Sequence, residues 1–150
     1  MKEELVRQLV EFIKANYFEG TILHQGPIHT TELKEEIEKR PTFAEYLFPL
    51  IDAKGLTDVE CYKRARIDRR TFSKIKSDRE YHPSRETVCA FAIALELDIR
   101  ETQKLLDVEG FSLSRTRMYD TIIAFFIKNG IYDIDQINEA LAEYKQPIFE

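Results

Sequence analysis

The chain has 150 residues, of which 43% are hydrophobic and 33% charged, and its formal net charge is -5. This length and composition suit a chain that buries one sizeable core, and they exclude a disordered tail. No apolar run approaches the roughly 20 residues that a membrane-spanning helix requires. The first residues, KEELVRQLVEF, are charged and amphipathic, unlike a secretory signal. We therefore expect a cytoplasmic protein with no membrane partner.

The N-terminal part of the chain carries helix signals separated by turn residues. Apolar side chains recur at every third or fourth position between residues 3 and 17, which predicts an amphipathic helix. A turn-like stretch, GTILHQGPIHT, follows, and a short polar helix is predicted around residues 32 to 39. We interpret residues 1–41 as an N-terminal helical extension.

Five short helices are predicted next, because a residue able to cap the first turn precedes each of them. TFAE, at residues 42–45, and DIRE, at residues 98–101, have the pattern of capping boxes. Pro49 lies inside the first helix and predicts a kink there. The first helix is expected to end at Gly55, and the other four are expected over residues 58–65, 69–77, 85–96 and 99–107.

Two more helices are predicted after the loop GFSLS, over residues 115–129 and 134–144. The first of them is expected to carry four apolar side chains on one face: Met118, Ile122, Phe125 and Phe126. We interpret residues 109–150 as a C-terminal helical pair that packs on a core formed by residues 42–108. The predicted fold class is all-α.

Residues 55–106, GLTDVECYKRARIDRRTFSKIKSDREYHPSRETVCAFAIALELDIRETQKLL, resemble the lambda-repressor-like (XRE-type) helix-turn-helix family. Thr57 matches the start of the first helix of the motif, and Asp68 matches the cap of the second. Phe72 and Ile75 match the buried face of that second helix. The resemblance implies a five-helix core, a double-stranded DNA partner, and a transcriptional repressor that acts as a homodimer.

Two positions depart from the pattern of that family. Its turn commonly carries a glycine in the left-handed conformation, and here that position is Arg66. An alanine is common early in the first helix of the motif, and here that position is Tyr62. The two helices can therefore meet at an angle different from that of the family.

The basic residues of this acidic chain are concentrated in residues 62–80, which hold eight cationic side chains and three carboxylates, a local net charge of +5. A helix that begins at residue 69 turns its cations outward and fits the major groove of DNA. Arg69 and Arg70 are predicted to read bases, and Ser73 to reach a base or a phosphate. The side chains predicted to contact phosphates are Lys63, Arg64, Arg66, Lys74, Lys76 and Arg79.

A wider resemblance covers residues 42–146. This range is similar to a bacterial helical module that also follows macro domains, which bind ADP-ribose, in larger proteins. The implied function is a regulatory or interaction module. No macro domain fits in the first forty residues, so ADP-ribose activity is not implied here.

The sequence leaves other functions open. A helix-turn-helix scaffold can serve as a protein-interaction adaptor, and the basic residues can form a solvated face with partners such as Asp78 for Lys74. The dimer surface could be residues 118–126 or residues 3–17, although ordinary core packing also explains both apolar faces.

No catalytic, metal or cofactor site is expected. The chain contains no Gly-rich phosphate loop, nucleophile motif or HExxH, so we do not expect an enzyme. Cys61 and Cys89 lack partners at zinc-binding spacing and are interpreted as core thiols. The histidines, His24, His29 and His82, are interpreted as surface or capping side chains.

Overall fold

The structure is a computed structural model that describes residues 3–16, residue 34 and residues 41–150. Every regular element in these residues is an α-helix, which confirms the all-α class for this part of the chain. The predicted helix at 32–39, apart from Lys34, and two histidines, His24 and His29, lie outside the described residues. The helices are α1 (Glu3–Asn16), α2 (Phe43–Ala53), α3 (Asp58–Arg64), α4 (Arg69–Ser77), α5 (Arg85–Ala94), α6 (Ile99–Val108), α7 (Met118–Lys128) and α8 (Ile134–Glu143).

The chain divides into two units, residues 1–40 and residues 41–150. In the first unit, α1 is amphipathic, as its spacing predicts. Its Arg7 donates to the Glu4 carboxylate at 2.7 Å, one turn away on the same helix. Leu5 and Leu9 are exposed on this helix, and Val10 is buried.

Side-chain caps set the start of most helices in the second unit, at the positions that the sequence predicts. Thr57 and Asp98 each form a complete capping box with the glutamate three residues later. Ser84 Oγ accepts from the Thr87 backbone N–H at 3.2 Å. Thr42 caps α2, and the carboxylate of its expected box partner, Glu45, lies 3.4 Å from Arg79 Nη1.

A single cluster of buried side chains joins α2 through α8. Helix α5 lies at its centre, where all residues from Val88 to Ala94 are buried. Helix α5 packs on α3 and α6, α2 packs on α4 and α6, and the series continues from α6 to α7 and from α7 to α8. Burying each large aliphatic or aromatic side chain contributes about 1.5–3 kcal/mol, so the C-terminal pair and the five preceding helices stabilise one another.

The two cysteines belong to this core, as predicted. Cys61 and Cys89 are both free and fully buried. Burial raises the pKa of each thiol to about 12, because the thiolate is poorly solvated there. Both are therefore neutral packing groups at physiological pH.

The structure corrects the predicted apolar face of α7. The helix begins at Met118, three residues later than predicted. Ile122 and Phe126 are buried, whereas Met118 and Phe125 are 49% and 58% exposed. The four side chains are thus divided between the core and the surface, because the neighbouring helices cover only one side of α7.

A buried ion pair fastens α7 to α5. Arg85 donates to the fully buried Asp120 carboxylate at 3.0 Å and to the Ser112 carbonyl oxygen at 2.6 Å. The Ser114 backbone N–H donates to the same oxygen of Asp120 at 2.9 Å. The guanidinium group of Arg85 also lies over the ring of Phe111, 4.9 Å from its centroid. The loop before α7 is therefore held by charge as well as by apolar packing.

Within residues 3–16 and 41–150, no helix is long and apolar enough to cross a bilayer. In the same ranges, no group of three or more His, Cys, Asp or Glu side chains is arranged to hold a metal ion. His82 is exposed, and its Nδ1 lies 2.9 Å from Glu109 Oε2.

Candidate nucleic-acid interface

The orientation of α4 is fixed by its two apolar side chains. Phe72 and Ile75 are 4% and 5% exposed, which confirms the buried face that their spacing predicts. The ring of Phe72 contacts the rings of Tyr62, Phe48 and Phe91, with centroids 5.2, 5.8 and 6.2 Å away. Since one side of this short helix is held inward, its polar side faces solvent.

Asp68 sets the first turn of α4. Its Oδ1 accepts from the Thr71 backbone N–H at 2.6 Å, so the helix begins at Arg69. This hydrogen bond is the main cause that lowers the pKa of Asp68, and the charges of Arg70 and Lys74 add to the effect. The carboxylate therefore stays ionised beside the cations that it positions.

The turn between α3 and α4 contains a residue in the left-handed conformation. Arg66 has φ 56°. The lambda-repressor-like family, which this part of the chain resembles, commonly has glycine at this position. The Ile67 backbone N–H donates to the Tyr62 carbonyl oxygen at 2.9 Å, which closes the end of α3. Tyr62, at a position where alanine is common in that family, contributes its ring to the cluster around Phe72.

All nine residues predicted to contact DNA are classed as exposed: Lys63, Arg64, Arg66, Arg69, Arg70, Ser73, Lys74, Lys76 and Arg79. We call this set the basic surface. Its eight cations fall into two groups according to whether a carboxylate is paired with them.

Three cations of the basic surface are paired with carboxylates of other elements. Arg66 Nη2 lies 2.6 Å from Asp135 Oδ1, Lys76 Nζ lies 3.4 Å from Asp58 Oδ2, and Arg79 Nη1 lies 3.4 Å from Glu45 Oε1. The members of each pair are far apart in the chain, for example 69 residues for Arg66 and Asp135. Local spacing therefore gave no signal for any of them.

The other five cations have no ion pair with a carboxylate in the described part of the chain: Lys63, Arg64, Arg69, Arg70 and Lys74. The pairing of Lys74 with Asp78, expected if the surface were a solvated face, does not form. Asp78 Oδ1 instead accepts from the Glu80 backbone N–H at 2.9 Å. These five charges are exposed and available to a polyanion.

The chain matches no family model, no curated protein and no solved structure.

Proposed function

We propose that the protein binds double-stranded DNA as a lambda-repressor-like regulator, with α4 in the major groove. The observation that carries this proposal is the basic surface. Five exposed cations lacking carboxylate partners in the described residues lie on α3 and α4, and the opposite side of α4 is anchored in the core by Phe72 and Ile75. Such a surface fits the major groove of DNA, because that groove admits a helix and is bordered by anionic phosphates.

The arrangement of the helices supports this proposal. Helices α2 to α6 are five short helices, the number that the lambda-repressor-like resemblance implies, and in this proposal α3, the turn after it and α4 form the motif. The positive φ at Arg66 and the caps at Thr57 and Asp68 are observed at the residues where the resemblance implies them. Repressors of this kind act as dimers on two half-sites about 34 Å apart, so a homodimer belongs to the proposal.

The position of each side chain along α4 suggests its role. Arg69 and Arg70 occupy the N-terminal turn, the part of a recognition helix that reaches base edges. An arginine there can donate to both acceptors of a guanine. Lys63 and Arg64, at the end of α3, and Lys74, near the end of α4, are suited to phosphates, as are Lys76 and Arg79 further along the chain.

The first experiment is fluorescence anisotropy of a random-sequence duplex pool, titrated with the full chain at two salt concentrations. Wild-type protein is compared with the triple variant Arg69→Ala, Arg70→Ala, Lys74→Ala. The matched control is Lys54→Ala, Arg100→Ala, Lys104→Ala, which removes the same charge from exposed positions outside the basic surface. We expect salt-sensitive binding that only the first triple variant abolishes. Equal losses in both variants, or no binding by wild type at low salt, would refute the proposal.

A second candidate function is a protein-interaction adaptor, and the exposed side of α7 favours it. Met118 and Phe125 occupy positions one and eight of that helix and are both about half exposed. If this surface binds a partner protein, capture of that partner survives Arg69→Ala and Lys74→Ala and fails in Met118→Ser, Phe125→Ser. Capture that fails in Arg69→Ala and Lys74→Ala and survives Met118→Ser, Phe125→Ser would assign the interaction to the basic surface.

A further inference from the structure

Arg66 differs from the other cations of the basic surface in how it is held. Its guanidinium group donates to Asp135 Oδ1 at 2.6 Å and to the Phe149 carbonyl oxygen at 3.4 Å. The other two paired cations, Lys76 and Arg79, each lie 3.4 Å from a single carboxylate. The side chain in the turn between α3 and α4 is therefore held by the C-terminal part of the chain.

The groups that hold Arg66 are themselves fixed in place. Asp135 lies in the first turn of α8, which Asp133 caps by accepting from the Asp135 and Gln136 backbone N–H groups. Asn138, one turn on, accepts from the Phe149 backbone N–H at 2.7 Å and donates to the Phe149 carbonyl oxygen at 2.8 Å. The Phe149 ring is buried against Tyr119. The acceptors thus approach Arg66 from a packed element rather than a free end.

The contact is nevertheless weak enough to exchange. The Arg66 side chain is 32% exposed and that of Asp135 is 82% exposed, so solvent and salt screen their attraction. A DNA phosphate offers the same bidentate acceptor geometry to a guanidinium group as a carboxylate does. Arg66 can therefore bind one anion or the other.

We propose that Asp135 regulates the basic surface by competing with a DNA phosphate for Arg66. This inference depends on the proposed DNA-binding function and adds to it that α8 is part of the control of the interface. In the free protein Asp135 holds Arg66. As long as this contact persists in the complex, only the unpaired cations contact phosphates. When Asp135 releases Arg66, the interface gains one more phosphate contact.

The test measures DNA affinity of the full chain across a series of salt concentrations. Asp135→Asn removes the competing charge, and Glu139→Gln is the matched control, because it makes the same charge change at an exposed position one turn along α8. We expect Asp135→Asn to steepen the slope of log K against log salt by about 0.9, the value for one added phosphate contact. Its affinity at low salt should rise about two- to fivefold, the equivalent of a surface ion pair. The control should leave the slope unchanged.

A third variant tests whether the effect acts through Arg66. Arg66→Gly removes the side chain, and glycine adopts the positive φ of this position without strain. In the Arg66→Gly background, Asp135→Asn should no longer change the slope. Thermal unfolding of each variant verifies that the fold is retained.

The outcomes separate this inference from the function on which it depends. Absence of salt-sensitive DNA binding by wild type contradicts the proposed function. If wild type binds and Asp135→Asn behaves like Glu139→Gln, or binds more weakly, the competition is refuted and DNA binding stands. The same holds if the change in slope persists in the Arg66→Gly background.

Discussion

At the scale of single residues, Asp68 connects the start of α4 to the chemistry of the basic surface. It accepts from the Thr71 backbone N–H, and it immediately precedes the two arginines proposed to read bases. Its negative charge also lies at the N-terminus of the helix, where the helix dipole favours an anion. A change at Asp68 therefore affects both the stability of α4 and the placement of its first turn.

Replacing Asp68 tests this role through pH. The pKa of Asp68 is lowered in the folded state below its ordinary value of 3.8, chiefly by the hydrogen bond from Thr71. Its contribution to stability is thus fully present above that ordinary value and is lost as the pH falls through the lower, folded pKa. Asp68→Asn should unfold at lower denaturant than wild type near neutral pH, and the difference should shrink in acid. A difference that is independent of pH would contradict the role of the ionised cap.

Arg69 and Lys63 should differ in what they contribute to DNA binding. Arg69→Ala is expected to lose about 1–3 kcal/mol of discrimination at one base pair, because a bidentate contact to guanine is removed. Lys63→Ala should weaken binding to all sequences alike and reduce the salt slope by about one. The measurement is the affinity of each variant for a selected site and for its single-base variants. Uniform losses from Arg69→Ala would remove the assignment of base readout.

At the scale of elements, the buried pair of Arg85 and Asp120 determines how α7 is attached to α5. The Arg85 side chain is 16% exposed and Asp120 is fully buried. Burial costs both charges their hydration, and the contacts to Ser112 and Ser114 offset part of that cost. The pair thus specifies where the loop before α7 lies.

Breaking this pair should be much more costly than replacing it. Asp120→Ala leaves the Arg85 guanidinium group poorly solvated and unpaired, and it should lower the free energy of unfolding by about 3–5 kcal/mol. The double variant Arg85→Met, Asp120→Leu should recover most of that loss, because it leaves no buried charge. Urea unfolding of the two variants and wild type measures both values. A loss below about 1 kcal/mol from Asp120→Ala would show that the pair is dispensable.

At the scale of the whole molecule, charge is strongly segregated. Residues 62–80 carry a net charge of +5 in a chain of net charge -5, so the rest of the chain carries -10. Three acids from that remainder reach the basic surface and pair with three of its eight cations. The field that a polyanion meets is therefore smaller than the sequence count suggests.

This partial neutralisation predicts a modest salt dependence of DNA binding. Each phosphate contact contributes a slope of about -0.9, and three unpaired cations, Lys63, Arg64 and Lys74, are assigned to phosphates. We expect a slope of about -2.7 for each protomer, rather than the steeper value that all six phosphate-assigned cations would give. Anisotropy titrations on a single half-site duplex measure it. A slope twice as steep would show that the paired cations also reach phosphates.

Short-range features of the fold were predictable from the sequence. The sequence predicts the caps of α3 and α4, because a cap involves residues three apart, and helical spacing predicts the inward face of Phe72 and Ile75. The predicted return hydrogen bond from the Thr42 backbone N–H to the Glu45 carboxylate does not form. That carboxylate pairs with Arg79 instead, a partner that only the folded chain brings near. The sequence does not predict the exposure of Phe125 for a related reason: spacing specifies a helical face, and the neighbouring helices determine how much of that face is covered.

Local propensity and composition specify the all-α class of the described residues, the order of their helices and the concentration of cations in residues 62–80. Which of those cations are available depends on the folded chain. Asp58, Glu45 and Asp135 come from three different helices and reach the basic surface only when the shared core brings those helices together. Coulombic pairing depends on distance in space, which spacing along the chain does not specify.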